Sequence, residues 1–264
     1  MKKPFWRIAA SCLMVMCCGG AGANPGDGIP VELKALVAAY AEHLALDGTN
    51  GVVWRDGARM PFGDGVVKRD FEDLLNRASL KDQMSQAYPA FDRSAGTPAG
   101  DFDPGRARHE PFFKKMYGSS EKEVAARLRT IQWLGPKGAK LRVTTVNGVD
   151  LLLEQVSKEL EGMDPKYRKF LLPVGGGFNW RVISGTERLS PHSFGIAVDL
   201  NPAAGTYWQW GGKAQAMPWE IVEAFERRGF IWGGRWSHVD SFHFEYRPEL
   251  ILLGQRKQTV QGTD

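Results

Sequence analysis

The segment from Ser190 to Asn201 constrains the fold of this chain more than any other part of the sequence. Branched apolar residues alternate there with small or acidic ones, at Ile196, Val198 and Leu200. This period of two is typical of a β-strand with one buried face. Asp199 then points to the opposite face, where glycine and alanine leave room for close approach. His192, just before the strand, can turn over that face, so the segment predicts an imidazole beside a carboxylate.

A second short stretch, residues 240–245, carries side chains of the same kinds. His243 and Glu245 share one face of a strand predicted over residues 242–246, because they are two positions apart. Asp240 lies three residues before His243, in the preceding turn. The two stretches together bring two histidines and several carboxylates into one candidate site.

Two imidazoles and one carboxylate form a ligand set that suits Zn²⁺. Three protein ligands leave a fourth position for water, which is the arrangement of catalytic rather than structural zinc sites. Zinc lowers the pKa of such a water, but a nearby base is still needed to receive its proton. The sequence therefore predicts zinc bound by His192, Asp199 and His243, with Asp240 as the base.

The combined pattern Ser-x-His-x-x-Gly-x-Ala-x-Asp, followed by acid-x-x-His-Phe, resembles the zinc D-alanyl-D-alanine carboxypeptidases and the related L-alanyl-D-glutamate endopeptidases. Both share a fold with the Hedgehog signalling domain. The resemblance covers about residues 140–250 and implies the same zinc ligands and the same base. Many members have glutamate at the base position, and some endopeptidases have the shorter aspartate. The matching residues are Ser190, His192, Gly195, Ala197, Asp199, Asp240 and His243.

The resemblance also implies an arginine ahead of the first histidine that stabilises the developing oxyanion. Arg181 and Arg188 both qualify. Arg181 is preferred because it lies on a strand predicted over residues 178–184, directly after a glycine run. Ser190 and Arg188 are expected to contact the substrate.

The implied activity is zinc-dependent hydrolysis of peptide bonds in the stem peptides of bacterial peptidoglycan, of the D-alanyl-D-alanine carboxypeptidase type. Cleavage of the L-alanyl-D-glutamate type, within the stem peptide, is the alternative. A zinc-containing wall-binding module without catalysis is a further alternative, but Asp240 argues against it because a structural zinc site needs no base. A structural protein of the envelope that binds no zinc is another alternative. The complete set of zinc ligands argues against it.

Other residues near these motifs have simpler interpretations. A lone histidine is more often structural than a ligand, and His43, His109 and His238 are interpreted in this way. The sequence His238-Val239-Asp240 nevertheless leaves His238 open as a competing ligand. Arg106 and Arg108 could reach a carboxylate of the substrate, but a solvated loop is the preferred interpretation. About half of the aromatic residues of this region are expected in the core, and the others could line a groove for an extended peptide or stack on sugar. These residues are Trp180, Tyr207, Trp208, Trp210, Trp232 and Trp236.

The first 23 residues have the composition of a secretory signal peptide. An apolar run over residues 8–18, too short to span a bilayer comfortably, is followed by small residues that end at Ala23. We therefore expect an exported, periplasmic or extracellular protein with no transmembrane helix in its mature chain. Three positive residues precede the run, at Lys2, Lys3 and Arg7.

All three cysteines lie in this leader, at Cys12, Cys17 and Cys18. The mature chain would therefore have no thiol, which excludes disulfides and cysteine nucleophiles. Lipid anchoring at Cys17 or Cys18 is disfavoured, because the residue before each is bulkier than such sites normally need. Loss of the leader lowers the formal charge from +4 to about +1, which does not favour nucleic-acid binding. The oligomeric state is not indicated.

The remaining sequence predicts an α+β protein, with a small, mainly antiparallel sheet that has helices on one side. A mostly helical N-terminal region, residues 24–138, is expected to pack on a zinc peptidase domain, residues 139–254, with a polar tail at 255–264. Predicted helices cover residues 30–46, 70–87, 149–162 and 218–228. One more begins at a capping box at Ser120, with Val124, Leu128 and Ile131 on one face. Residues 94–108 are expected to form a long loop.

Overall fold

The computed structural model describes residues 28–94, 98, 100–210 and 217–261. The predicted signal peptide, residues 1–23, lies outside them. The helices of the described residues are α1 (Val31–Ala39), α2 (Phe71–Asn76), α3 (Leu80–Gln83), α4 (Glu110–Tyr117), α5 (Glu121–Ala125), α6 (Val149–Glu161), α7 (Arg168–Leu171), α8 (Trp219–Glu226) and α9 (Pro248–Gln261). The strands are β1 (Leu44–Asp47), β2 (Gly51–Trp54), β3 (Arg59–Pro61), β4 (Leu128–Trp133), β5 (Ala139–Thr144), β6 (Ala197–Asp199), β7 (Phe230–Trp232) and β8 (His243–Tyr246).

All the strand pairs are antiparallel, and they form small sheets. Strands β1, β2 and β3 form one sheet in that order, β4 pairs with β5, and the third sheet has the order β6-β8-β7. Helix α6 packs on the β4–β5 hairpin, and α8 and α9 pack on β7. The architecture confirms the predicted α+β class with small antiparallel sheets.

The N-terminal region shares one hydrophobic core with the rest of the chain. Helix α1 packs on α9, and Leu33 and Leu36 are fully buried in the same cluster as Leu250. The hydroxyl of Tyr40 donates a hydrogen bond of 2.8 Å to Glu249 across this contact. The amphipathic N-terminal helices therefore bury their apolar residues against the C-terminal helix.

Several predicted elements are present, but others end early or are replaced. Helices α6 and α8 lie where the sequence predicts them. The helix predicted over residues 30–46 ends at Ala39 and is followed by β1, and the one over 70–87 is divided into α2 and α3. The tail predicted from Gln255 is helical to Gln261, as the end of α9.

Two predictions of secondary structure are wrong in type. Ser120 caps α5 as expected, but the helix ends at Ala125, and Ile131 lies on β4, whose long ladder with β5 satisfies the backbone. The predicted strand over 178–184 has only one isolated bridge among its residues, from Val182 to Leu189. The backbone N–H of Arg181 bonds the hydroxyl of Ser193, so the polar groups of this segment serve the neighbouring turn.

The glycine at position 195 is required where the chain enters β6. Gly195 has a φ of +68°, and a β-carbon there would lie 2.8 Å from Leu128 and 3.0 Å from the backbone of Thr144. The β4–β5 hairpin therefore packs directly against the chain at Gly195, where the backbone N–H of Thr144 donates to the Gly195 carbonyl. No helix among residues 28–94, 98, 100–210 and 217–261 is both long and apolar enough to cross a membrane.

Candidate metal centre

The register of β6 and β8 places two of the predicted ligands side by side. Asp199 lies directly opposite His243 in this antiparallel pair, so their side chains share one face of the sheet. Ala197, the partner of Glu245, is on the same face, and its small side chain leaves space there. Residues 44 positions apart therefore meet, and Nδ1 of His243 lies 2.8 Å from Oδ1 of Asp199.

A single 3-10 turn, Pro191–Phe194, holds the third predicted ligand over this pair. Ser190 caps the turn, and its hydroxyl accepts a hydrogen bond from the backbone of His192. Nδ1 of His192 lies 2.7 Å from the carbonyl of Gly177, which can only accept. Nδ1 therefore carries the proton, and the lone pair of Nε2 faces Asp199, with Nε2 3.2 Å from Oδ1.

The three residues together could hold a metal ion. Ligand atoms of His192, Asp199 and His243 all lie within 4.8 Å of one another, and both histidines are buried. Nε2 of His192 is buried and has no hydrogen-bond partner in the described part of the chain. An unpartnered buried nitrogen beside a carboxylate and a second imidazole is the donor set that a zinc ion would satisfy.

The charges of the cluster favour an ionised carboxylate. Burial raises the pKa of Asp199, but the neighbouring imidazoles of His192 and His243, the latter hydrogen-bonded to Asp199, outweigh it and hold the pKa well below its usual value. Burial lowers the pKa of His243, but hydrogen bonds to Asp199 and Glu245 raise it to about 10. A metal ion would therefore displace a proton from His243 when it binds.

Asp240 lies beside the cluster in an environment that suits a base. It forms an isolated bridge with Tyr207 and lines the same cavity as the three candidate ligands. Oδ1 of Asp240 is buried and has no hydrogen-bond partner among the residues that the structure describes. Burial raises the pKa of Asp240 to about 6. A carboxyl group with this pKa can accept and return a proton near neutral pH.

The site lies in a cavity of about 700 Å³ into which four arginines project. Arg181 is exposed on its loop, whereas Arg188 is half-buried, and burial lowers the pKa of its guanidinium. Nε of Arg188 is buried without a hydrogen-bond partner in the described residues. The other two are Arg106 and Arg108, and four carboxylates line the same cavity, at Glu72, Asp199, Asp240 and Glu245. The unpartnered Nε of Arg188 could therefore pair with an anionic group of a ligand.

The expectation that Arg106 and Arg108 lie in a solvated loop is wrong. The side chain of Arg108 is 8% exposed, and burial lowers its pKa to about 10. The guanidinium of Arg106 lies 5.0 Å from the ring centre of Trp236. The loop around them packs on the sheet, and backbone bonds such as Ser237 N–H to the Phe102 carbonyl hold it there.

Aromatic residues form one wall of the cavity and part of the core. Trp232 and Trp236 are buried, whereas Trp208 and Trp210 are 42% and 60% exposed. Trp236 contacts the ring of His243, with 5.6 Å between the ring centres. Trp232 therefore belongs to the core and Trp208 and Trp210 to the cavity, whereas Trp236 belongs to both.

His238 has a partner of its own and does not join the cluster. Its Nδ1 lies 2.7 Å from Oδ2 of Asp103, and its backbone N–H donates to Oδ1 of the same carboxylate. The metal-ligand cluster of the described residues contains His243 and not His238. The structural interpretation of His238 is thus favoured over the competing one.

Comparison with known proteins agrees with the resemblance seen in the motifs. Residues 184–246 match the family model described as D-alanyl-D-alanine carboxypeptidase. The matched segment contains His192, Asp199, Asp240 and His243. No curated protein and no solved structure matched the chain significantly. The match confirms the resemblance over this segment and supports, at the level of the family, a zinc peptidase that acts on peptidoglycan.

Proposed function

We propose, on the premise of this family match, that the chain is a zinc-dependent D-alanyl-D-alanine carboxypeptidase of bacterial peptidoglycan. The observation that carries the proposal is the cluster of His192, Asp199 and His243 beside half-buried Asp240, whose Oδ1 is buried and unpartnered among the described residues. A binding module would need the metal cluster but has no use for such an oxygen, because a buried carboxylate oxygen without a partner destabilises the fold.

Different residues of the cavity have different roles in the proposed reaction. His192, Asp199 and His243 would hold zinc, which supplies Lewis-acid chemistry by polarising the substrate carbonyl and easing the deprotonation of water. Asp240 accepts the proton of the attacking water and returns it to the departing amine. This exchange needs a group whose pKa lies near the working pH, and the pKa of about 6 for Asp240 supports the assignment.

The arginines of the cavity stabilise negative charge on the substrate. We propose that Arg181 stabilises the oxyanion that forms on the scissile carbonyl. Arg188, half-buried with an unpartnered Nε, would bind a carboxylate of the stem peptide, because a buried guanidinium gains most from a paired anion. Ser190 would contact the substrate from the rim, although its hydroxyl also caps the turn that carries His192.

A second cavity favours the endopeptidase alternative enough to test it. This cavity, of about 730 Å³, shares Glu72, Leu75, Arg108, Thr186 and Arg188 with the cavity of the metal cluster. The two therefore adjoin, and their combined space has room for more of the stem peptide than one terminal residue. Cleavage of the L-alanyl-D-glutamate type would use such room.

We also propose that the protein is exported and acts in the periplasm or outside the cell. The order of charges, apolar run and small residues over positions 1–23 supports this. A peptidase that acts on peptidoglycan needs to reach that compartment. N-terminal sequencing of the protein from the producing cell should give Asn24 as the first residue.

Digestion of a purified stem pentapeptide, with the products identified by mass, tests the function. Loss of one terminal D-alanine indicates the carboxypeptidase, and release of L-alanine from the other end of the peptide indicates the endopeptidase. A chelator and the variant His192→Ala should each abolish either reaction, since two protein ligands rarely hold zinc. Binding of the peptide without cleavage by the zinc-loaded protein would instead indicate a wall-binding module.

A further inference from the structure

Glu245 is a completely buried carboxylate that contacts one of the candidate metal ligands. It shares the face of β8 with His243, and Oε2 lies 3.3 Å from Nε2 of that imidazole. The exposure of Glu245 is 0%. The proposed reaction does not use this residue, and a buried carboxylate is costly unless its position serves the fold or the site.

The two nitrogens of His243 face different groups. Nδ1 faces Asp199 inside the metal cluster, and Nε2 faces Glu245 outside it. A neutral imidazole has one N–H and one lone pair, and a carboxylate can only accept. Glu245 therefore selects the tautomer with the proton on Nε2, which leaves the lone pair of Nδ1 for the metal.

Two arginines hold the carboxylate of Glu245 in place. Nη1 of Arg247 donates a hydrogen bond of 2.9 Å to Oε1, and Nη1 of Arg108 lies 3.9 Å from Oε2. Both guanidinium groups also donate to the carbonyl of Gly105, at 2.7 Å and 3.3 Å. Glu245 is thus fixed between the sheet and the loop of the N-terminal region.

Gly105 allows the loop to approach this closely. It has a φ of +103°, and a β-carbon would lie 2.5 Å from Ile231 and 3.1 Å from Oε1 of Glu245. A larger residue could not bring its carbonyl to both arginines. The N-terminal region therefore supplies part of the environment of His243, although it supplies none of the cluster's ligands.

We propose that Glu245 is a positioning residue that orients His243 for the metal through its Nε2–H, and that Arg108 of the N-terminal region and Arg247 hold it there. The inference rests on the proposed metal site but not on the choice of substrate. His192, the other candidate imidazole ligand, is oriented in the same way by the Gly177 carbonyl. The difference is that the acceptor of His243 carries a charge, which makes the imidazole a stronger ligand.

The first test uses the unaltered protein, loaded with zinc and labelled with ¹⁵N. Nitrogen NMR distinguishes a metal-bound ring nitrogen from a protonated one. We expect His243 to bind through Nδ1 with its proton on Nε2, and His192 to bind through Nε2. Binding of zinc through Nε2 of His243 would overturn the proposal, whatever any variant does.

The second test compares zinc affinity in two variants, measured by competition with a chromophoric chelator. Glu245→Gln keeps the size of the side chain but removes its charge, and should weaken zinc binding about 10- to 100-fold. Glu226→Gln is the matched control, because Glu226 is 1% exposed and pairs with buried Arg235 at 3.0 Å. It should lower the melting temperature and leave zinc affinity unchanged.

Zinc affinity of Glu245→Gln within about threefold of the parent protein, at equal folded fraction, would refute the positioning role. An equal loss of affinity in Glu226→Gln would show only a general effect of stability. These readouts do not depend on hydrolysis. A zinc-loaded protein that cuts no stem peptide would contradict the proposed function and leave the nitrogen assignment to be decided by NMR.

Discussion

Replacement of Asp240 by asparagine separates catalysis from folding at this site. Asparagine has nearly the same size but cannot accept a proton at neutral pH, so the metal cluster should stay intact. Loss of a general base typically lowers the rate by about 10²- to 10⁴-fold. We therefore expect Asp240→Asn to retain zinc and to lose stem-peptide hydrolysis by a factor in this range.

The same substitution should stabilise the metal-free fold. Burial raises the pKa of Asp240 from 3.8 to about 6, and a difference of this size corresponds to about 3 kcal/mol. Because the folded-state pKa is above the unfolded-state value, ionised Asp240 destabilises the fold. This cost is absent below about pH 4, increases as the pH rises, and is complete above about pH 6. Asparagine removes it, so the free energy of unfolding should increase at pH 7.5 and not at pH 4.

The assay measures metal content, denaturant unfolding with and without chelator, and hydrolysis on one preparation. Asp150→Asn is a matched control, since Asp150 is a buried carboxylate that pairs with Arg129 away from the cavity. It should lower stability and keep activity, the opposite of Asp240→Asn. If Asp240→Asn hydrolyses within a few-fold of the parent at equal zinc content, or is less stable at pH 7.5, the assignment of the base is wrong.

Three further predictions follow from the site and the core. The pH dependence of kcat/KM should have an acidic limb near or below pH 6, because Asp240 must be ionised and a bound dication would lower its pKa further; a rate independent of pH between 4 and 7 would contradict this. Arg181→Ala should lower kcat, whereas Arg188→Ala should mainly raise KM about tenfold or more; steady-state kinetics on the pentapeptide would show the reverse if the roles are exchanged. A fragment without residues 24–135 should not fold, because α9 loses the partner that α1 provides. Circular dichroism and thermal melting of the fragment test this, and a stable fragment that is also active would show that the N-terminal region is dispensable.

Much of the candidate site could be predicted from short sequence patterns. The alternation of Ile196, Val198 and Leu200 predicts a strand with Asp199 on its other face, and β6 has this arrangement. The imidazole ligands at His192 and His243 then indicate a zinc site from the sequence alone. The strong periodicity of α6 and α8 was likewise sufficient, since each buries one stripe of side chains.

Elements with weak or mixed periodicity were not predictable. Val124, Leu128 and Ile131 have helical spacing, yet β4 begins at Leu128 because its partner β5 offers a six-residue ladder. The segment around Arg181 has the composition of a strand, but its backbone bonds the turn at residues 190–193. In both places a distant partner decided between conformations that the local sequence allows about equally.

The sequence by itself determined which chemistry to propose: it gives the residue types of the candidate metal cluster, the proposed base three positions before His243, and the strand that carries Asp199. These are properties of residues near one another in the chain, and the period of the side chains and the type of donor atom are sufficient to predict them. Only the tertiary structure decided what surrounds the cluster. Arg247 and Gly105 are 142 residues apart in sequence and 2.7 Å apart at their hydrogen bond. Such a contact depends on how whole segments pack, and no local pattern encodes it, so the buried arginines and the partner of His243 became visible only in the fold.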